Sequence, residues 1–206
     1  MNMNILALGS HPDDIEFGCG ATLAKYAQKR HTIYLMIMTR GELGGSPEVR
    51  EQEQVSASKI LGVKETFWGD FHDTFPPAQK DLIDAIEKVI FAIDPGMIFV
   101  NHSQDTHQDH RELSRALNSA ARHVMNVLYY EVPSTQNFNP TVFVNIEEFL
   151  DFKVEALKTH HSQVMKTNIE GLSIVEIARS LANFRGIQAR MKYAESFMPG
   201  RLLINI

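Results

Sequence analysis

Apolar and polar positions along this chain form two recurring patterns. Short runs of apolar, often β-branched residues are typical of strands buried on both faces, and longer stretches with apolar residues three or four positions apart are typical of amphipathic helices. The clearest helix spans residues 79–93, with Leu82, Ile86 and Val89 on one face. Because strands and helices alternate, we expect an α/β fold with a mostly parallel, right-handed sheet flanked by helices.

Turn and capping residues set the limits of these elements. Ser46-Pro47 is a typical helix start, and Gly62 stands where a C-terminal glycine is expected. The pattern predicts strands ending at Gly9 and covering 32–38, 65–68, 97–100 and 127–130, an edge strand at 141–146 and a last strand at 202–204, with helices at 20–29, 48–61, 79–93, 110–121, 147–157 and 173–190. A chain of 206 residues can bury one substantial core, so we expect a single domain over 1–206.

Composition narrows the class of protein. The net charge of -5 does not indicate a basic surface for nucleic acid, and no apolar run approaches the roughly 20 residues of a membrane span. The N-terminus lacks the basic-then-apolar order of a secretory signal. The single cysteine, Cys19, cannot form an internal disulfide. We therefore expect a cytoplasmic protein with no nucleic-acid partner and no transmembrane segment.

Two polar clusters follow predicted buried strands. His11, Asp13 and Asp14 come directly after the first strand. Residues 101–109 contain no aliphatic side chain, and His107 belongs to this second cluster. In an open α/β sheet, ligands bind beyond the carboxyl ends of the strands, so both clusters are expected at one site.

The residue types in these clusters indicate metal-assisted hydrolysis. His11, Asp14 and one histidine of the pair His107 and His110 would make a three-ligand site with an open position, the composition of a catalytic zinc centre. The other histidine would then be free to act on the substrate. Asp13 could take a proton from metal-activated water attacking a carbonyl.

The histidine pair also supplies a hydrogen-bond donor. Protonated His107 is the local candidate for stabilising the oxyanion that forms when the carbonyl is attacked. Asp105 or Asp109 could keep its imidazole charged and oriented. Taken alone, the position of Arg50 in the first turn of a helix favours a solvated arginine paired with a glutamate.

Other interpretations compete with a hydrolase. Surface loops are often rich in Asp and His, although two clusters that both follow strands are less easily accidental. His11 and Asp13 with a distant histidine could form the iron facial triad of an oxygenase, but that triad usually belongs to a jelly roll. A metal-binding or sugar-binding protein without catalysis is a third interpretation, and the presence of both Asp13 and His107 counts against it.

An ordered series of motifs resembles a known family. HPDDIE follows the first strand, TRGE follows the second, VREQE and LGV lie in the next helix, and DTHQDH follows a later strand. With HHSQ at 160–163 and YAE at 193–195, these motifs resemble the LmbE-like, or PIG-L, family of metal-dependent N-deacetylases. The resemblance implies a Rossmann-like fold that uses zinc, or in some cases ferrous iron, to remove the acetyl group from N-acetylglucosamine units in glycosides or lipids.

The family's metal site can be carried over residue by residue. The resemblance implies that His11, Asp14 and His110 are the metal ligands and that Asp13 is the general base. It also implies a small-molecule partner, an N-acetylated sugar or glycoconjugate, and assembly into a homo-oligomer, as family members often show.

The remaining roles concern the substrate. The resemblance implies that His107 stabilises the oxyanion or protonates the leaving amine, with Asp109 as its orienting partner. It assigns Arg50 to substrate contact, which reverses the interpretation from position alone, and it matches Tyr193 to a tyrosine near the oxyanion. The motif HQDH departs from the family's usual HPDH at Gln108, and residues 133–145 show no recognisable pattern.

Overall fold

Within residues 2–74 and 78–204, which the computed structural model describes, seven strands form one sheet with helices on both faces. The strands are β1 (Asn4–Gly9), β2 (Thr32–Thr39), β3 (Val63–Phe71), β4 (Met97–Asn101), β5 (Val127–Tyr130), β6 (Val142–Asn145) and β7 (Ala194–Arg201). The helices are α1 (Asp14–Gln28), α2 (Pro47–Leu61), α3 (Gln79–Ile93), α4 (Gln108–Ala120), α5 (Leu150–Thr159) and α6 (Ile174–Gln188). None of the helices in the described part of the chain has the length and apolar character needed to cross a membrane.

The strand order is β3-β2-β1-β4-β5-β7-β6, and neighbours from β3 to β5 pair in parallel. Only β7 runs antiparallel to both of its neighbours. From β1 the chain moves outward to β2 and β3 and then returns to the other side of β1 as β4. The order of strands therefore reverses between β1 and β4, which leaves a crevice at their carboxyl ends. The predicted α/β fold with a mostly parallel sheet is confirmed.

Alternate residues of the central strands face opposite layers of helices. Leu6 and Leu8 of β1 belong to a core cluster with α3 and α4. Ile5 and Ala7 of the same strand belong to a second cluster that includes residues of α1 and α6. All four side chains are fully buried, which explains why the strand has a continuous apolar sequence rather than an alternating one.

Helix α1 begins at Asp14, six residues before the predicted start. Gly18 and Gly20 weaken the helical pattern because glycine is a poor helix former. Gly18 is required by packing, since a Cβ at this position would lie 2.0 Å from Cδ2 of Tyr130. The helix consequently starts inside the polar motif rather than after it.

The prediction of a last strand at 202–204 is wrong. The strand that joins β5 to β6 is β7, whose sequence AESFMPGR contains proline and glycine and does not resemble a strand. Its Phe197 is fully buried, whereas Leu203 and Ile204 are exposed to solvent at 49% and 74%. Burial and pairing between β5 and β6, rather than apolar sequence, decide where the strand forms.

Candidate metal centre

The loops that follow β1 and β4 meet over the crevice between these strands. His11 lies in the first loop, and His107 and His110 lie at the start of α4. The ring centroid of His11 lies 4.6 Å from that of His107 and 5.4 Å from that of His110, and the centroids of His107 and His110 are 4.8 Å apart. The parallel pairing of β1 with β4 thus brings together the two clusters that the sequence places far apart.

The turn after β1 directs its two neighbouring acids toward different partners. Oδ2 of Asp14 accepts hydrogen bonds from the backbone N–H groups of Ser10 and His11, both at 3.0 Å. Asp13 adopts a left-handed conformation with φ 95°, immediately before α1. Its Oδ2 lies 3.8 Å from Nη2 of Arg50. One carboxylate is therefore locked inside the turn, and the other faces an arginine.

Asp14 stands between two of the histidines. Its Oδ2 is 3.3 Å from Nε2 of His110 and 3.6 Å from Nδ1 of His11. Burial alone would raise the pKa of Asp14, but His110 and His11 outweigh burial and hold that pKa well below its usual range. Burial opposes protonation of His110 as well, yet Asp14 and Asp105 raise the pKa of this histidine to about 9.

The carboxylate of Asp105 lies on the side of the His110 ring opposite Asp14. Its Oδ2 lies 3.2 Å from Nδ1 of His110 and accepts a hydrogen bond from Oγ1 of Thr135 at 2.9 Å. Its Oδ1 accepts the backbone N–H of His107 at 2.8 Å. Carboxylates in this position commonly fix the orientation of metal-binding histidines. The structure therefore pairs Asp105 with the His110 ring, not with the His107 ring as the sequence suggested.

Asp109 does not orient the imidazole of His107 through its carboxylate. Its Oδ2 lies 3.2 Å from Nε2 of His11 and accepts the backbone N–H of Thr74 at 2.9 Å. The hydrogen bond from Asp109 to His107 comes from the backbone N–H, which donates to Nδ1 at 3.3 Å. The expectation fails because the first turn of α4 directs this side chain toward the β1 loop.

His107 is the least enclosed of the three histidines. Burial lowers its pKa, and the neighbouring His11 and His110 lower it further. Since Nδ1 accepts a backbone hydrogen bond, the neutral ring carries its proton on Nε2. His107 therefore presents an N–H group beside the cluster.

Asp73, in the loop after β3, is a site residue that the sequence analysis missed. Its Oδ1 lies 3.0 Å from Nε2 of His11, and its Oδ2 accepts the backbone N–H of Leu43 at 3.0 Å. Burial opposes ionisation, but the hydrogen bond from His11 holds the pKa of Asp73 below its usual value. The sequence feature that could have identified Asp73 is its position after a strand. The sequence predicts that this strand ends at residue 68, but β3 extends three residues further, to Phe71, so Asp73 lies closer to the strand end than predicted.

Arg50 is buried, with only 4% of its surface exposed, so the interpretation as a solvated arginine is wrong. Its Nη1 donates to the carbonyl of Gly41, and its Nη2 donates to the carbonyl of Pro12, both at 2.8 Å. Gly41 has φ +65°, and a Cβ there would lie 1.8 Å from Nη1. Arg50 thus ties the loop after β2 to the loop that carries Asp13.

The HHSQ motif at 160–163 and the YAE motif at 193–195 lie in different parts of the structure. Tyr193 packs beside a third core cluster that includes Phe149 and Ala182, so the structure does not bring it to the histidines. His160 is buried with Nε2 3.8 Å from Oε2 of Glu16. Gln163 reaches the loop after β2, donating from Nε2 to the carbonyl of Gly44 at 3.2 Å.

The donors in this region fit a divalent metal ion. One ring nitrogen from each of His11, His107 and His110 lies within 4.8 Å of the others, and the same holds for one atom each of His11, Asp73 and Asp109. Both ring nitrogens of His110 are buried without a well-formed hydrogen bond among the described residues, despite the two nearby carboxylates. Imidazole and carboxylate donors without thiolate suit zinc or ferrous iron.

Sequence comparison identifies relatives of this chain. A family model described as "PIG-L: GlcNAc-PI de-N-acetylase" matches residues 6–121. The "Uncharacterized deacetylase YaiS" of Escherichia coli K12 is 41% identical over 77% of this chain and 90% of its own length. The "Diacetylchitobiose deacetylase" of Thermococcus kodakarensis is 27% identical over 97% of this chain and 84% of its own length.

Comparison with solved structures identifies proteins with the same fold. The conserved protein TT1542 from Thermus thermophilus superposes with a TM-score of 0.89 at 26% identity, covering 99% of this chain and 97% of that one. The family match extends over more than half of the sequence and includes the loops that carry His11, Asp14 and His110. This chain therefore belongs to the PIG-L, or LmbE-like, family of deacetylases.

Proposed function

We propose that this protein is a zinc-dependent hydrolase that removes the N-acetyl group from an N-acetylglucosamine-type amino sugar or its conjugate, with ferrous iron as the alternative metal. The family match and the names of the relatives support this reaction class. The observation that carries the proposal is the division between two adjacent acids: the carboxylate of Asp14 lies against two histidines, whereas that of Asp13 faces Arg50.

His11, Asp14 and His110 would hold the metal. The two backbone hydrogen bonds to Asp14 fix one ligand, and Asp105 fixes the ring of His110. A divalent ion bound there supplies a Lewis acid and lowers the pKa of a bound water to about 7. Asp73 and Asp109 flank His11 at 3.0 and 3.2 Å and add negative charge that favours cation binding.

Asp13 would act as the general base. Burial raises its pKa, an effect that Arg50 only partly offsets. A carboxylate with a raised pKa accepts a proton more readily from the water that attacks the amide carbonyl. The hydrogen bonds of Arg50 to the carbonyls of Gly41 and Pro12 hold the turn that positions this base.

His107 would act on the other side of the amide. Its Nε2–H group is suited to donate a hydrogen bond to the carbonyl oxygen as negative charge develops there, and in its imidazolium form the ring could deliver a proton to the amine that leaves. Asp109 contributes to its orientation through the backbone N–H rather than through the carboxylate. This chemistry breaks the amide C–N bond and yields acetate and a free amino sugar.

Acetate release tests the proposal. Purified protein, stripped of metal and reloaded with Zn²⁺ or Fe²⁺, would be incubated with N-acetylglucosamine, diacetylchitobiose and N-acetylglucosaminide glycosides. We expect acetate and primary amine in equal amounts from at least one substrate, and no product from the stripped protein. Binding of the sugars without acetate release by fully loaded protein would instead establish a non-catalytic binding protein. Sugar-independent oxygen consumption with 2-oxoglutarate would support the oxygenase interpretation.

A further inference from the structure

Two charged side chains from distant elements meet inside the protein. Lys153 of α5 and Glu195 of β7 are each only 3% exposed, and Nζ of the lysine lies 2.7 Å from Oε1 of the glutamate. Removing both charges from water costs free energy that their attraction only partly offsets, so a buried ion pair is weak evidence for stability. The further contacts of this pair indicate a more specific role.

The ion pair contacts the backbone in the interior of α1. Oε1 and Oε2 of Glu195 accept the N–H groups of Ala21 and Thr22 at 3.1 and 2.7 Å. Nζ of Lys153 donates to the carbonyl of Phe17 and lies 5.4 Å from the centre of its ring. In a regular α-helix, the N–H of Ala21 bonds to that same carbonyl of Phe17. Lys153 and Glu195, which we call the α1 ion pair, therefore contact both groups of one helical hydrogen bond.

The peptide group that the α1 ion pair holds is joined to the start of the helix. The backbone N–H of Phe17 donates to the carbonyl of Asp13 at 3.0 Å. Asp13 is the residue at which the chain adopts φ 95° immediately before α1 begins. Lys153 is therefore connected to the backbone of the proposed general base through a single residue, Phe17.

The two acids of the turn depend on this connection to different degrees. Asp14 is held by the backbone N–H groups of Ser10 and His11, which donate to its carboxylate. The carboxylate of Asp13 lies 3.8 Å from Nη2 of Arg50, which is beyond hydrogen-bond distance. The position of the Asp13 carboxylate thus depends on the backbone that carries it, whereas Asp14 has side-chain contacts of its own.

We propose that the α1 ion pair positions Asp13 for catalysis by fixing the backbone at the start of α1. This inference rests on the proposed function and adds Lys153 and Glu195 to it as positioning residues. A displacement of about 1 Å at a reacting group can lower a rate about 100-fold, so loss of the pair should act on kcat. Because Asp14 has independent contacts, metal binding should not depend on the pair.

Replacing both charges by methionine tests the inference. Methionine is similar in length to both side chains, and apolar residues can often replace a buried ion pair without loss of stability. The N–H of Ala21 can then bond to the carbonyl of Phe17, as in a regular helix. For the zinc-loaded Lys153→Met/Glu195→Met protein we expect a kcat of acetate release about 10 to 100 times lower, with KM and the zinc dissociation constant within about twofold of the wild type.

The matched control removes another enclosed ion pair. Arg185 of α6 and Glu131, directly after β5, form two hydrogen bonds of 2.7 and 2.6 Å, and their side chains are 10% and 12% exposed. Glu131 also accepts the hydroxyl of Ser196 in β7, so this pair holds α6, β5 and β7 together. Arg185→Met/Glu131→Met should leave kcat within about threefold of the wild type. Equal decreases in kcat for the two double variants would overturn the inference, as would a decrease accompanied by loss of zinc.

The outcomes separate the inference from the proposed function. If the wild type releases acetate and Lys153→Met/Glu195→Met has the same kcat, only the inference fails. If the wild type releases none, the proposed function fails, and amide hydrogen exchange of the zinc-loaded proteins decides the inference. The N–H of Phe17, which donates to Asp13, should then exchange at least about tenfold faster in the double variant, with exchange in α3 unchanged. Equal exchange at Phe17 would overturn it.

A second variant covers failure of the double variant to fold. Glu195→Gln keeps the size of the side chain and one acceptor oxygen, but its amide group cannot accept both N–H groups of α1. We expect a kcat at least about threefold lower with an unchanged zinc dissociation constant. A wild-type kcat for Glu195→Gln would overturn the inference.

Discussion

The carboxylate of Asp105 lies behind the imidazole of His110, with Oδ2 3.2 Å from Nδ1, while Nε2 of the same ring faces Asp14 at 3.3 Å. A carboxylate facing Nδ1 favours a proton on that nitrogen, and an imidazole protonated on Nδ1 alone has a free electron pair on Nε2. Asp105 therefore determines which nitrogen His110 offers toward the centre. The same carboxylate holds Thr135 and the backbone of His107, so it connects the α4 start to the loop after β5.

Replacing Asp105 should weaken metal binding without removing a ligand. For Asp105→Asn we predict a zinc dissociation constant about 10 to 100 times higher than that of the wild type, because the amide no longer carries the charge that orients and polarises His110. Competition with a chromophoric chelator measures the constant. Asp81→Asn, which removes one exposed acid from the first turn of α3, serves as the control for charge. Equal affinities of the Asp105→Asn and Asp81→Asn proteins would show that Asp105 has no such role.

Replacing Asp13 should separate catalysis from metal binding. For Asp13→Asn we predict a kcat about 10² to 10⁴ times lower, the usual contribution of a general base, with metal content unchanged. Asparagine is the preferred replacement because it tolerates the left-handed conformation at φ 95°. His110→Ala should instead lose the metal. Metal analysis and acetate release, measured on the same preparations, check both results, and full activity of Asp13→Asn would refute the role of Asp13.

Arg50 should be important for stability as well as for activity. A lysine cannot reproduce the two hydrogen bonds that the guanidinium makes to the carbonyls of Gly41 and Pro12, and it would leave buried acceptors unpaired. For Arg50→Lys we predict a free energy of unfolding lower by about 2 to 4 kcal/mol, measured by urea denaturation. Arg40→Lys is the control, since Arg40 is 31% exposed and pairs with surface acids. Comparable losses in the two variants would contradict the prediction.

The buried His160 should make stability depend on pH. Burial, together with the charges of Arg50 and His161, lowers the pKa of His160 to about 3 from an ordinary value of 6.5. Between these values the unfolded chain binds a proton that the folded state does not bind, so the free energy of unfolding falls as the pH falls below 6.5. From pH 7 to pH 5 this effect amounts to about 2 kcal/mol.

Glu16 changes the pH dependence of stability in the opposite direction. The test therefore compares the pH profile of His160→Gln with that of the wild type. Burial raises the pKa of Glu16 to about 7, so its contribution to stability increases as the pH falls. His160→Gln removes only the histidine contribution. Between pH 7 and pH 5 its free energy of unfolding should therefore fall by about 2 kcal/mol less than that of the wild type. His123→Gln, at an exposed position on the surface, should follow the wild type. Identical pH profiles for all three proteins would show that His160 does not titrate in this way.

Much of the fold follows from local sequence. The buried strands β1, β2, β4 and β5 and the helices α2 and α3 lie close to where hydrophobic periodicity and capping residues predict them. The pattern fails where packing overrules propensity, as at Gly18 against Tyr130 and at Phe197 in β7. Glycine and proline disfavour regular structure in isolation, but a close contact or a place in the sheet can require it.

The sequence alone determined that His11, Asp13, Asp14, His107 and His110 would stand at strand ends, because the position of a residue after a buried strand is a local property of the chain. Only the tertiary structure decided that Asp105 pairs with His110, that Asp109 and Asp73 converge on His11, that Arg50 is buried, and that Tyr193 lies elsewhere. These relationships depend on which strands become neighbours and how each loop leaves the sheet. Both are set by long-range packing, which no local spacing encodes.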